Sequence, residues 1–155
     1  MVNVLFVCLG NICRSPMAEG VFAHLVQEAG LEKEIWVDSV GTGGWHVGER
    51  PHRGTQQVLR KNGISYDGRA RQIAKDDMAD QNAWIIAMDD SNVEDVRRQF
   101  GAHPRLYKLL DFATEHPQER NVPDPYYTGG FDYVYALVRD GCRGLLATVC
   151  EEEGI

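Results

Sequence analysis

The chain has 155 residues, enough for one domain with a real core and too few for two, and 43% apolar with 25% charged side chains is the balance of an ordinary globular fold. No run of about 18 apolar residues exists to cross a bilayer, and MVNVLFVC lacks the basic region and cleavage site of a secretory leader, so a single cytoplasmic domain spanning 1–155, away from membranes, is expected. The net charge of −7 divides into 9 basic and 7 acidic side chains over residues 1–75 against 7 and 16 over 76–155, which excludes the basic face of a nucleic-acid binder but leaves room for a local anion site near the N-terminus.

In chain order, VNVLFVC (2–8) is a short continuous apolar run and predicts a strand covered on both faces. PMAEGVFAHLVQEAG (16–30) puts Met17, Val21, Leu25 and Val26 at helical spacing, with Ser15 as N-cap, Pro16 as first helical residue and Gly30 just past the end. EIWVDSV reads as a second strand, and PHRGTQQVLRKNGI as a helix stopped by Asn62 and Gly63. AWIIAM is a third strand, SNVEDVRRQFG a helix, and RLYKLL a fourth strand. A long loop over 111–130 leads to a last helix carrying Phe131, Val134, Val138, Cys142, Leu145 and Val149.

Strands alternating with helices predict an α/β fold: a four-stranded parallel sheet with right-handed crossovers and helices on both faces. Ligands of such sheets bind beyond the carboxyl ends of the strands, and residues 8–15 lie at such an end. Four cysteines are too few for a disulfide scaffold, and the paired C-x-x-C of a structural zinc site is absent, so free thiols are expected.

The turn from Cys8 to Arg14 explains why a buried strand stops on a cysteine. A strand-to-helix turn aims backbone N–H groups and the positive end of the helix dipole at one point, which attracts an anion. Gly10 and Asn11 are the residues able to take left-handed conformations that expose those amides. Arg14 can fork onto two phosphoryl oxygens, the same field favours a thiolate at Cys8, and Ser15 can hydrogen-bond that sulfur. Other phosphate loops fit badly: no G-x-x-x-x-G-K-[ST] exists, and GTGGWH lacks the third glycine of the dinucleotide fingerprint.

VCLGNICRSPMAE, DSVGTGGWHVGERP, RARQI, AMDDSN and DPYYTGGFDYVY, in that order, resemble the low-molecular-weight protein tyrosine phosphatases over nearly the whole chain. The resemblance implies a phosphate-binding loop after the first strand and a metal-free, two-step reaction through a cysteinyl-phosphate. It implies Cys8 as nucleophile, Arg14 as phosphoryl clamp, Ser15 as thiolate partner and Asp124 as general acid. Leu9, Gly10, Asn11, Ile12 and Cys13 would form the phosphate cradle, with Cys13 also a thiol that can capture an oxidised nucleophile, and Trp45 with Tyr126 or Tyr127 would wall the cleft. The partners implied are phosphotyrosine-containing proteins or peptides, with inorganic phosphate as product and inhibitor; oligomeric state is left open. One departure is Gly68, where many relatives have a histidine that props the loop through the residue matching Asn11; Ser39 is the substitute expected here.

Chemistry independently suits these residues. Amides and an arginine can stabilise equatorial phosphoryl oxygens without a metal, and a phenolate leaving group benefits from a proton that Asp124 can give. Three other readings compete. A thioredoxin-coupled arsenate reductase needs mid-chain cysteines, and none lies between Cys13 and Cys142. Phosphoarginine phosphatases resemble the loop with Thr in place of Ile12, whose branched apolar side chain favours an aryl substrate. A non-catalytic phosphoresidue-binding module needs neither Cys8 nor Asp124.

Overall fold

In the computed structural model, which describes residues 1–155, four strands form one all-parallel sheet in the order β2-β1-β3-β4: β1 Val2–Cys8, β2 Ile35–Gly41, β3 Trp84–Ala87 and β4 Leu106–Lys108. The register sets Cys8 opposite Gly41 and Val7 opposite Ala87, so three strand ends converge beside the cysteine. The helices are α1 Arg14–Glu28, α2 Arg53–Lys61, α3 Asp90–Phe100, α4 Pro125–Thr128 and α5 Phe131–Glu153. No helix is long and apolar enough to cross a membrane.

The period-2 geometry of β1 sends its side chains into two separate cores. Val4, Phe6 and Cys8 join the larger one, built with Phe22 of α1 and Val134, Val138, Cys142, Leu145 and Val149 of α5. Leu5 and Val7 join the smaller one, built with Ile73, Met78 and Val96 of α3. The unbroken apolar run of β1 is thus required by helices on both faces. Phe6 is fully buried with its ring 5.5 Å from Phe22, edge to face, and truncating it to alanine would cost about 3–5 kcal/mol.

Three local expectations are corrected. Helix α1 starts at Arg14 with Cys13 as N-cap and no side-chain cap, so Ser15 and Pro16 lie inside the first turn; the Ser15 hydroxyl is engaged elsewhere. The fourth strand stops at Lys108, because Asp111 turns back to accept from the Lys108 N–H and winds Leu109–Phe112 into a 3-10 turn. The loop over 111–130 is not wholly irregular, since α4 sits within it, capped by Asp124. The stops at Gly30 and at Asn62–Gly63 are as expected, with both glycines at positive φ.

Candidate active site

The loop between β1 and α1 is held from behind by Asn11, the one non-glycine residue at positive φ (57°). Its Oδ1 accepts from the Arg71 N–H at 3.0 Å, and its Nδ2 donates to Ser15 Oγ at 2.8 Å and Ser39 Oγ at 3.0 Å. These bonds offset the strain of a left-handed Asn and leave its side chain turned away from the cleft, so Asn11 shapes the cradle rather than lining it. Ser39 does hold Asn11, as expected. Gly10, by contrast, is not left-handed. Loop and β2 are laced together by the Thr42 N–H to Cys8 carbonyl and Gly43 N–H to Leu9 carbonyl bonds, both 2.9 Å. Gly41 makes this possible, since a Cβ there would lie 2.9 Å from the Leu9 carbonyl oxygen.

Ser15 Oγ lies 3.0 Å from Cys8 Sγ. That oxygen accepts from Asn11, and its own proton can turn to the sulfur or, at 3.3 Å, to the Val40 carbonyl. Arg14 is almost wholly buried. Its Nη1 donates to Asp89 Oδ2 and, at 3.0 Å, to the Val122 carbonyl, and its Nη2 lies 3.5 Å from Asp124 Oδ2. Burial works against the Arg14 charge, but Cys8, Asp89 and Asp124 outweigh it and hold the proton more tightly than usual. Its Nε is buried with no acceptor in the protein. Asp124 N-caps α4 by accepting from the Tyr126 N–H at 3.1 Å. The Cys13 thiol is pushed up to about 12, chiefly by burial and then by neighbouring Cys8 and Asp124, so Cys13 stays protonated where it meets the cleft.

A cleft of about 270 Å³ opens above these groups, lined by Cys8, Leu9, Gly10, Ile12, Cys13, Arg14, Trp45, His46, Asp124, Tyr126 and Tyr127. Every proposed cleft residue from the sequence is therefore brought together except Asn11 and Ser15, which stand behind the loop. Sequence reasoning missed two kinds of residue. Asp89 is both the N-cap of α3 and the anchor of Arg14, a double use that spacing alone cannot reveal. His46 lines the cleft, and His52 stacks on Phe131 at 4.9 Å and edges Tyr126 at 6.0 Å, so two histidines tie the rim segments together. The signal was their flanking of VGERP, His46 inside the motif DSVGTGGWHVGERP and His52 directly after it.

Residues 3–154 match the family described as low molecular weight phosphotyrosine protein phosphatase. The chain is 49% identical to the low molecular weight protein-tyrosine-phosphatase YfkJ of Bacillus subtilis, over 99% of both chains. It is 43% identical to PtpA of Staphylococcus epidermidis, over 100% of this chain and 98% of the relative. The crystal structure of YfkJ superposes with a TM-score of 0.93 at 50% identity, covering 98% of this chain and 96% of that one. A protein tyrosine phosphatase of Entamoeba histolytica, solved with Hepes in its active site, gives 0.91 at 33% identity over the whole of both chains. With likeness in fold, length and sequence from end to end, the chain belongs to the low-molecular-weight protein tyrosine phosphatases and is a phosphoric monoester hydrolase acting on phosphoproteins.

Proposed function

We propose that Cys8, Arg14, Ser15 and Asp124 carry out the tyrosine phosphatase reaction, with the amides of residues 9–13 as the phosphoryl cradle and Trp45, Tyr126 and Tyr127 flanking the phenyl ring. The observation that carries this reading is the Arg14 Nε, a buried charged donor without an acceptor, on the floor of a cleft it shares with Cys8. Burying such a donor costs free energy unless an acceptor arrives, and a phosphoryl oxygen is one of matching charge and geometry. Asp89 and the Val122 carbonyl fix the other side of the guanidinium, leaving the Nε and Nη2 edge for the ligand.

In the first step the Cys8 thiolate attacks phosphorus, forming the S–P bond as the P–O bond to the tyrosine breaks. Asp124 gives its proton to the departing phenolate oxygen. Water then attacks the phosphocysteine, Asp124 takes its proton, and inorganic phosphate leaves with the thiolate restored and held by Ser15. Charge on the equatorial oxygens meets Arg14 and the loop amides in both steps, so no metal is called for. Asp124 near Arg14 Nη2 is poised to yield that position to the incoming phosphoryl group. The free thiols of Cys8, Cys13, Cys142 and Cys150 suit a reducing cytoplasm.

The substrate class rests on Ile12, an apolar wall inside the cleft that suits a phenyl ring better than a guanidinium. Hydrolysis of matched phosphotyrosine, phosphoserine and phosphoarginine peptides in buffer containing a chelator tests it. Phosphotyrosine should be cleaved with the highest kcat/KM; a phosphoarginine peptide cleaved as fast would overturn the assignment.

A further inference from the structure

Behind the phosphate loop, a line of hydrogen bonds runs out to residues that touch neither the cleft nor one another in sequence. Tyr66 Oη donates to Glu19 Oε1 at 2.7 Å, and the same oxygen accepts from Ser39 Oγ at 2.6 Å. Ser39 Oγ accepts from Asn11 Nδ2, and Asn11 donates in turn to Ser15 beside Cys8. The polarity is set from Tyr66 as far as the Ser15 oxygen. With an ionised Glu19 the phenol can only donate. Ser39 gives its single proton to Glu19, so its oxygen is left to accept from Asn11. The Asn11 oxygen is taken by the Arg71 N–H, so its amide nitrogen serves both serines. Ser15, its oxygen accepting from Asn11, then has one proton placed between Cys8 Sγ at 3.0 Å and the Val40 carbonyl at 3.3 Å.

Gly68 shows what admits Tyr66 to this line. Its φ is not positive, so backbone conformation does not demand glycine there. Space does: a Cβ on residue 68 would stand 2.2 Å from Tyr66 Oη and 2.5 Å from its Cζ. The phenol occupies the volume that any other side chain at 68 would need. Glu19 lies where burial pushes its carboxyl up, with Asp38 acting in the same sense, while Ser39, Tyr66 and Arg71 oppose both. A carboxylate in such a site depends on each donor that reaches it.

We propose that Tyr66, admitted by Gly68, is a positioning residue for catalysis: its hydroxyl fixes Glu19 and, through Ser39 and Asn11, sets the shape of the phosphate loop. The inference rests on the reading of that loop as the phosphoryl site with Cys8 as nucleophile. A loop shaped for the pentacoordinate transition state should lose that state's affinity before it loses affinity for tetrahedral phosphate.

The test is Tyr66→Phe, Gly68→Ala and the double variant, assayed for kcat/KM on a phosphotyrosine peptide, for inhibition by orthovanadate and by inorganic phosphate, and for Tm. Tyr66→Phe should lower kcat/KM by about tenfold, the scale of one hydrogen bond to a charged group. Vanadate inhibition should weaken by a similar factor and phosphate inhibition by less, with Tm held within about 4 °C. Gly68→Ala, which evicts the phenol, should act alike, and the double variant should be no worse than the poorer single one. Unchanged kcat/KM and vanadate affinity in Tyr66→Phe would overturn the proposal, as would losses that multiply in the double variant. Cys8→Ser separates the two levels. If it is inactive while Tyr66→Phe is normal, the positioning role alone fails; if Cys8→Ser turns over normally, the reading of the loop fails first.

Discussion

The floor and the rim of the cleft are built on opposite terms. On the floor and directly behind it, Cys8, Arg14, Asn11 and Ser15 are all 3% exposed or less, and their hydrogen bonds reach four separate stretches of chain, at Ser39, Arg71, Asp89 and Val122. On the rim, Trp45 and Tyr127 are about three-quarters exposed, and the Tyr126 ring meets the rings of His46, His52 and Tyr127. A buried polar group has no water to fall back on, so the floor tolerates one arrangement; an exposed aromatic ring has many. On the proposed reading, chemistry that needs preorganised charge belongs to the floor, and contact with the substrate's ring to the rim.

If the floor is organised in this way, its members should fail in graded and distinguishable ways. Cys8→Ser should lower kcat by more than about 1,000-fold while phosphate still binds, because the cradle survives and only the nucleophile is weakened. Residual turnover within tenfold of the parent would remove Cys8 from its role. Asp124→Asn should cost about 100- to 10,000-fold on phosphotyrosine but much less on p-nitrophenyl phosphate, whose leaving group hardly needs a proton. Equal losses on both substrates would make Asp124 only the cap of α4, and the acid would have to be sought elsewhere. Next comes Arg14→Lys, with a loss of at least about 2 kcal/mol in transition-state stabilisation, since an ammonium cannot reproduce a fork anchored by Asp89 on one side. A rate near normal would mean that the orphaned Nε meets no substrate oxygen.

The same contrast marks what was legible beforehand. The sheet, the order of its crossovers and the turn from Cys8 to Arg14 follow from local signals: apolar runs, helical spacing, and glycine or asparagine where the backbone must bend. The fourth strand was overread because Leu109 and Leu110 are as apolar in a 3-10 turn as in a strand, and period alone cannot tell the two apart. Ser15 was misplaced as a cap because Ser-Pro before an apolar run looks like a helix start, whereas a hydroxyl needed by Cys8 and Asn11 overrode that habit. Asp89 and Tyr66 escaped for a different reason. They act on the loop across 75 and 47 residues of sequence, respectively, Asp89 on Arg14 and Tyr66 through Glu19, and only the assembled sheet brings them there.

The rim should yield the smallest effects, and their form matters more than their size. Gly43 seats Trp45 closely, since a Cβ there would overlap the indole, yet most of the ring faces solvent. An aromatic contact of that kind contributes about 0.5–1.5 kcal/mol beyond the area it covers. Trp45→Ala and Tyr127→Ala should therefore lower kcat/KM for a phosphotyrosine peptide by about two- to twelvefold, the kinetic equivalent of that energy. The loss should fall on KM, because a ring that grips substrate and transition state alike gives uniform binding. Inhibition by inorganic phosphate, which has no ring to flank, should be unchanged in both variants. A hundredfold fall in kcat, or a matching loss of phosphate affinity, would show that the rim reaches the chemistry and that the division between the two layers is false.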